Sequence, residues 1–156
     1  MPEFPTEAQH ASLELGVIGN GSVAALIDPH ARIVWCCLPR FDADASFCSL
    51  LSPTSGGGDW AIELEDFDHV EQFYLANTAV LVTRLFDRHG GAIEITDFAP
   101  RHRLNGRFYH PEMLVRRVAP IAGSPRIRVR LRPLCEYGAR APATTAGSNH
   151  IRYLLS

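Results

Sequence analysis

The sequence predicts an all-β protein built as an antiparallel β-sandwich. Apolar and polar residues alternate with period two along nearly all of the 156 residues, the spacing at which side chains reach opposite faces of a strand. The alternating runs are short and punctuated by Gly, Pro and Asn, as the many turns of a sandwich require. No stretch of about ten or more residues carries the 3.6-residue spacing of an amphipathic helix.

The elements follow in order. Residues 1–11, with Pro2 and Pro5, read as a flexible tail, and residues 12–156 as one sandwich domain. Residues 12–18 and 23–28 form strands on either side of Asn20-Gly21, a tight-turn pair. Asp28-Pro29-His30-Ala31 turns the chain into a strand over 32–38, which Pro39 stops. Residues 45–51 predict one helical turn, and 52–58 a loop. Further strands are expected at 60–65, 78–86, 92–98, 113–118, 127–131 and 151–155, with Arg88-His89-Gly90-Gly91 as a hairpin turn. Residues 101–111 and 138–148 read as loops.

A chain of this size buries roughly 70% of its unfolded surface and can hold a core without staples. Its 46% hydrophobic content excludes a disordered chain, and its net charge of −2 excludes a uniformly basic nucleic-acid binder. The charge is nonetheless divided. Residues 1–100 hold four Arg against fifteen acids, and residues 101–156 hold eleven Arg against Glu112 and Glu136. All 15 basic residues are Arg. In residues 126–132 the apolar Ile127, Val129 and Leu131 face one side of a strand, and Arg126, Arg128, Arg130 and Arg132 line the other. Such a ladder of like charges needs acids from the first hundred residues beside it, or a partner surface.

No apolar run approaches the roughly 20 residues of a membrane-spanning helix. The opening Met-Pro-Glu-Phe-Pro has neither the basic nor the apolar region of a signal peptide. Cys36, Cys37, Cys48 and Cys135 lack zinc spacing, so buried thiols in a reducing cytoplasm are expected. Asp42 and Asp44, or Glu63 and Glu65, share a strand face at i, i+2, the spacing of a solvated face. Asp42-Ala-Asp44-Ala-Ser46 lacks the sixth-position Gly and twelfth-position Glu of a calcium loop. His102 and His110 bracket one loop without a carboxylate partner. No metal and no cofactor is expected. Arg40, Phe41 and Asp42, held behind Pro39, suit either sugar hydroxyls and ring faces or an aromatic plug with an ion pair.

Several strings resemble, in order, the start of bacterial glucoamylase/trehalase-like proteins of glycoside hydrolase family 15. They are Leu15-Gly-Val-Ile-Gly-Asn-Gly21 with Val23-Ala-Ala-Leu-Ile27, then Ile33-Val-Trp-Cys-Cys-Leu-Pro-Arg-Phe-Asp42. Asn77-Thr-Ala-Val-Leu-Val-Thr-Arg84, Glu94-Ile-Thr-Asp-Phe-Ala-Pro100 and Leu114-Val-Arg-Arg117 complete the set. The resemblance implies a β-supersandwich that packs on and supports a C-terminal (α/α)6 barrel of the same protein. That barrel carries the two catalytic glutamates that hydrolyse α-glucosidic bonds. It has no counterpart in this chain, so no catalytic residue transfers, and neither Glu63 nor Glu94 takes that role.

The matched motifs fall at turns and strand ends, where a sandwich presents functional loops. Asn20, Trp35, Arg40, Phe41, Asp42, Asp97 and Phe98 are therefore the candidate domain-interface or sugar-proximal residues. The alternatives are a free-standing carbohydrate-binding sandwich and, further off, nucleic-acid binding through the Arg-rich half. Neither nucleic acid nor membrane is the expected partner.

The family sandwich continues past a point such as Ile151-Arg-Tyr-Leu-Leu-Ser156, so an incomplete sheet with an open edge is expected. An unpaired edge predicts self-association. Sedimentation at high concentration checks this; a single monomeric boundary would remove the expectation.

Overall fold

The computed structural model describes residues 13–51 and 57–154. The expected tail and most of the expected loop at 52–58 lie outside the described residues. The described residues form strands and no helix.

The first five strands are β1 (Gly16–Gly19), β2 (Ala24–Ile27), β3 (Ile33–Cys37), β4 (Ala45–Phe47) and β5 (Asp59–Leu64). β6 (Phe67–Tyr74), β7 (Leu81–Asp87) and β8 (Ala92–Phe98) follow, then a short hairpin of β9 (His102–Leu104) and β10 (Arg107–Tyr109). β11 (Val115–Ala122), β12 (Ile127–Arg132), β13 (Ala143–Ala146) and β14 (Ile151–Leu154) complete the order. One six-stranded sheet runs β1-β2-β3-β5-β12 with β4 on β3, and a four-stranded sheet runs β11-β8-β7-β6. All pairings are antiparallel, with β13-β14 as a separate two-stranded ribbon.

The two sheets face each other across a core whose residues follow from the alternation. Ile18, Ala25, Cys36 and Phe47 lie in one cross-strand row of the first sheet. They pack with Ile27, Ile33 and, from the second sheet, Leu81. Ile62 and Leu64 of β5 meet Leu85, Ile93 and Ile95 in a second cluster. Gly16 permits this approach, since a Cβ there would stand 2.6 Å from Leu81 Cδ2. At the open edge of β1, the Tyr74 hydroxyl donates to Val17 O at 3.0 Å and accepts from Val17 N at 2.6 Å, which satisfies edge groups that would otherwise invite another strand.

The divided charge resolves where β12 lies against β5. Register places Arg128 opposite Glu63 and Arg132 opposite Asp59. Arg128 Nε reaches Glu63 at 2.6 Å, Arg130 spans Glu63 and Asp59 at 2.8 Å each, and Arg132 Nε meets Asp59 at 3.1 Å. The alternative of a partner surface is not needed for this ladder, because intervening carboxylates remove the like-charge repulsion. Ile127 and Val129 on the strand's other face stay 41% and 58% exposed, an apolar flank at the edge of the sheet.

A buried pair binds the two sheets to each other. Arg116 of β11 donates from Nε and Nη2 to the Asp97 carboxylate of β8 at 2.8 and 3.0 Å. Its side chain and that of Asp97 are 1% and 0% exposed. The guanidinium also donates to Trp60 O at 2.7 Å and to Ala31 O, and lies 5.3 Å from the Trp60 ring centroid. Ala31 holds a left-handed φ of 61°, a strained conformation for a residue with a Cβ, and its buried carbonyl finds its donor in Arg116.

Four local expectations change. Residues 45–47 form β4 rather than part of a helical turn, because Phe47 and Ala45 pair with Cys36 and Cys37 and Phe47 enters the core. β6 was not apparent in the alternation, because as an edge strand it carries Asp68, His69, Glu71 and Gln72 on largely exposed positions. The expected loop at 101–111 contains the β9-β10 hairpin, closed by Asn105-Gly106 with φ of 50° and 78°. These are the two left-handed positions of a tight hairpin turn. The expected loop at 138–148 supplies β13, which pairs with β14.

Asp97→Ala leaves Arg116 as an uncompensated buried charge, and breaking such a pair costs about 3–5 kcal/mol. Urea unfolding of the variant should show a loss of this order; a loss below about 1 kcal/mol, the range of an exposed pair, would contradict the role given to it.

Candidate functional site

The matched motifs converge on one end of the sandwich. The β1-β2 turn, the loop after β3, the β6-β7 turn and the segments flanking the β9-β10 hairpin all emerge there, as the strand registers dictate.

Asn20 is the bolt of this end. Its Oδ1 accepts from Ser22 N at 2.9 Å and Val23 N at 3.1 Å, an Asx turn that shapes the β1-β2 connection. Its Nδ2 donates to Pro100 O at 2.9 Å and Pro111 O at 2.8 Å. Those carbonyls precede β9 and follow β10, so one carboxamide clamps both stems of the hairpin. Both donors and two acceptor sites are occupied and the residue is 4% exposed, which leaves its amide no donor to offer a ligand. Ser22 Oγ adds a hydrogen bond to His110 Nδ1 at 3.0 Å.

The other sequence-derived candidates separate into distinct roles. Arg40 and Asp42 stand on the exposed loop after β3, each side chain 67% exposed, and pair with each other at 2.9 and 2.6 Å. Hydrogen bonding from Arg40 lowers the Asp42 pKa from its usual value. Phe41 between them is 57% exposed, so it does not plug the sheet end. Phe98 lines a cleft of about 780 Å³ with Asn77, Thr78, Val80, Arg101, Arg103 and Phe108. Asp97 lies beneath, wholly buried against Arg116; burial raises its pKa, and the guanidinium opposes that shift. Trp35 stands apart, half-buried on the outer face of the first sheet, in register with Leu26 and Val17.

Sequence reasoning missed the hairpin. All six of its strand residues are exposed. Arg101 and Arg103 hold their guanidinium carbons 5.3 and 5.7 Å from the Phe108 ring centroid. On its other face His102 stacks on Tyr109 at 5.5 Å. Asn105-Gly106 between Arg-His-Arg-Leu and Arg-Phe-Tyr was the available signal, obscured because neither arm alternates apolar with polar residues.

Among the described residues no group of three His, Cys, Asp or Glu is placed to hold a metal ion. Cys36, Cys37, Cys48 and Cys135 are free thiols. Burial pushes the Cys36 pKa up to about 12, so it stays protonated and unreactive at neutral pH. Among the described residues no helix is long and apolar enough to cross a membrane.

The scaffold is thus an all-β domain with many of its motif residues at one end, in turns and buried staples. The model of the trehalase-like N-terminal family matches residues 7–153. The chain is 33% identical to a trehalase of Thermoplasma volcanium over 129 residues, 81% of the chain and 20% of the relative. It is 39% identical to Trehalase 1 of Sulfolobus acidocaldarius over 87 residues, 55% of the chain and 15% of the relative. A trehalase of Thermoplasma acidophilum is 30% identical over 118 residues, 75% of the chain and 20% of that protein. No solved structure gives a significant match. The chain belongs to the trehalase-like N-terminal domain family, and it spans at most about a fifth of the length of the curated relatives it matches.

Asn20→Ala withdraws four hydrogen bonds and strands carbonyls and amides at the hairpin base. With a buried unsatisfied group worth about 1–3 kcal/mol, a loss of roughly 2–4 kcal/mol is expected in chemical denaturation. Faster amide exchange in residues 101–111 should accompany it; unchanged exchange there would contradict the clamp.

Proposed function

We propose that this chain is the non-catalytic N-terminal domain of a glycoside hydrolase family 15-like protein, and that its loop end packs on and supports a C-terminal (α/α)6 barrel. The barrel supplies the two glutamates that hydrolyse an α-glucosidic bond with inversion, and trehalose is the first substrate to test. The observation that carries this reading is the family match along residues 7–153 in a chain that spans about a fifth of its trehalase relatives.

The state of the chain's own carboxylates supports it. An inverting glycosidase needs one protonated and one ionised carboxyl group about 6.5–9.5 Å apart, both facing the sugar. Glu63 is held by Arg128 and Arg130, Glu94 by Arg84 at 3.0 Å, and Asp42 by Arg40. Asp44 accepts from Tyr137 N at 2.9 Å. Asp97, whose pKa is raised, is sealed in the core. The cytoplasm is the compartment that suits four free thiols.

The 156-residue chain alone should leave trehalose and maltose intact, while the protein restored to its full downstream sequence hydrolyses one of them. Arg40→Ala with Asp42→Ala should leave the thermal midpoint of the chain alone unchanged and lower that of the full-length protein. Unchanged stability and activity of the full-length variant would remove these residues from the interface, and hydrolysis by the chain alone would overturn the reading.

A further inference from the structure

We propose that the β9-β10 hairpin, with the cleft beside it, is a preorganised docking arm for an acidic surface on the remainder of the same protein. This rests on the reading that the domain packs on a C-terminal domain, and adds the element that makes the contact and the charge of its counterpart.

Unbalanced charge is the first observation. Arg32, Arg40, Arg84, Arg116 and Arg140, and the Arg126–Arg132 ladder, each have a carboxylate within 4.0 Å. Arg88, Arg101, Arg103, Arg107, Arg117 and Arg152 have no carboxylate within 4.0 Å among the described residues, and three of these six, Arg101, Arg103 and Arg107, are gathered on or directly before one hairpin. Two of them are already set over the Phe108 ring, which fixes the forks at a low entropic cost for a carboxylate that arrives later.

Composition is the second. Leu104, Phe108 and Tyr109 are 53%, 59% and 42% exposed, and Met113 beside them is 50% exposed. Exposed aromatic, Met and Arg side chains together are the composition of a protein interface. Rigidity is the third, since Asn20 holds both stems of the hairpin. A nucleic-acid strand would need a track of free cations along its backbone. The longest arginine row, on and beside β12, instead lies against Asp59, Glu63 and Glu65, and the cluster of Arg101, Arg103 and Arg107 is confined to one short hairpin, an extent suited to a protein surface. Relatives about five times the length of the matched segment contain the additional chain to provide one.

The full-length protein carrying the photo-crosslinker p-benzoylphenylalanine in place of Phe108 tests this. Crosslinks within one chain to an Asp/Glu-rich stretch beyond residue 156 are expected. They should fall at least roughly tenfold in Arg101→Glu/Arg103→Glu/Arg107→Glu and in about 1 M NaCl, where the Debye length is about 3 Å. The milder Arg101→Gln/Arg103→Gln/Arg107→Gln should lose the salt dependence while keeping the hairpin. Crosslinks to a second copy, to a neutral or basic stretch, or to an added single-stranded oligonucleotide would overturn the proposal. Scanning calorimetry of the full-length protein separates the two readings. Two independent unfolding transitions in the wild type would overturn the packing itself, whereas one coupled transition that survives the triple charge reversal would overturn only the docking arm.

Discussion

The fold depends on one buried guanidinium. Arg116 ties β11 to β8 through Asp97, then crosses to the first sheet through Trp60 O and Ala31 O. A hydrophobic core alone attracts two sheets without fixing how they are placed, because apolar burial is non-directional. Four directional hydrogen bonds from one planar group fix that placement. The turn with the left-handed Ala31 is explained by the same contact, since this conformation presents a carbonyl to the charge.

Asn20 does for the loops what Arg116 does for the sheets. Each saturates a polar group in a place poor in water and spends it on segments distant in sequence, Asn20 reaching 80 and 91 residues along the chain. Strings such as Gly19-Asn20-Gly21 and Asp97-Phe98 therefore look functional because they bear on structure. What Asn20 holds in place is an exposed arm of Arg and aromatic residues.

Much of the fold was legible in the residues. Alternation marked strands at 60–65 and 127–131 and put Ile127, Val129 and Leu131 on one face, of which Leu131 packs on the core while Ile127 and Val129 stay exposed, and Asn20-Gly21 marked the first hairpin. The charge split anticipated acids beside Arg128, Arg130 and Arg132, and β5 provides them. β6 escaped because an edge strand is relieved of the need to alternate. β4 escaped because three residues are too few to show a period. The site was legible only in part. Arg40, Phe41 and Asp42 do occupy the loop end, while Asp97 is part of the core and Trp35 lies on an outer face.

The sequence by itself determined the all-β class and the position of most strands, because side-chain period is a local property of the chain. It also identified the family, since ordered motif strings survive without any knowledge of where they meet. Only the tertiary structure decided that Asp97 belongs to Arg116, that Asn20 grips Pro100 and Pro111, and that three arginines at one hairpin have no carboxylate beside them among the described residues. These are facts of pairing between residues 19 to 91 positions apart, and a charge or amide is satisfied or left open only by what the folded chain brings beside it.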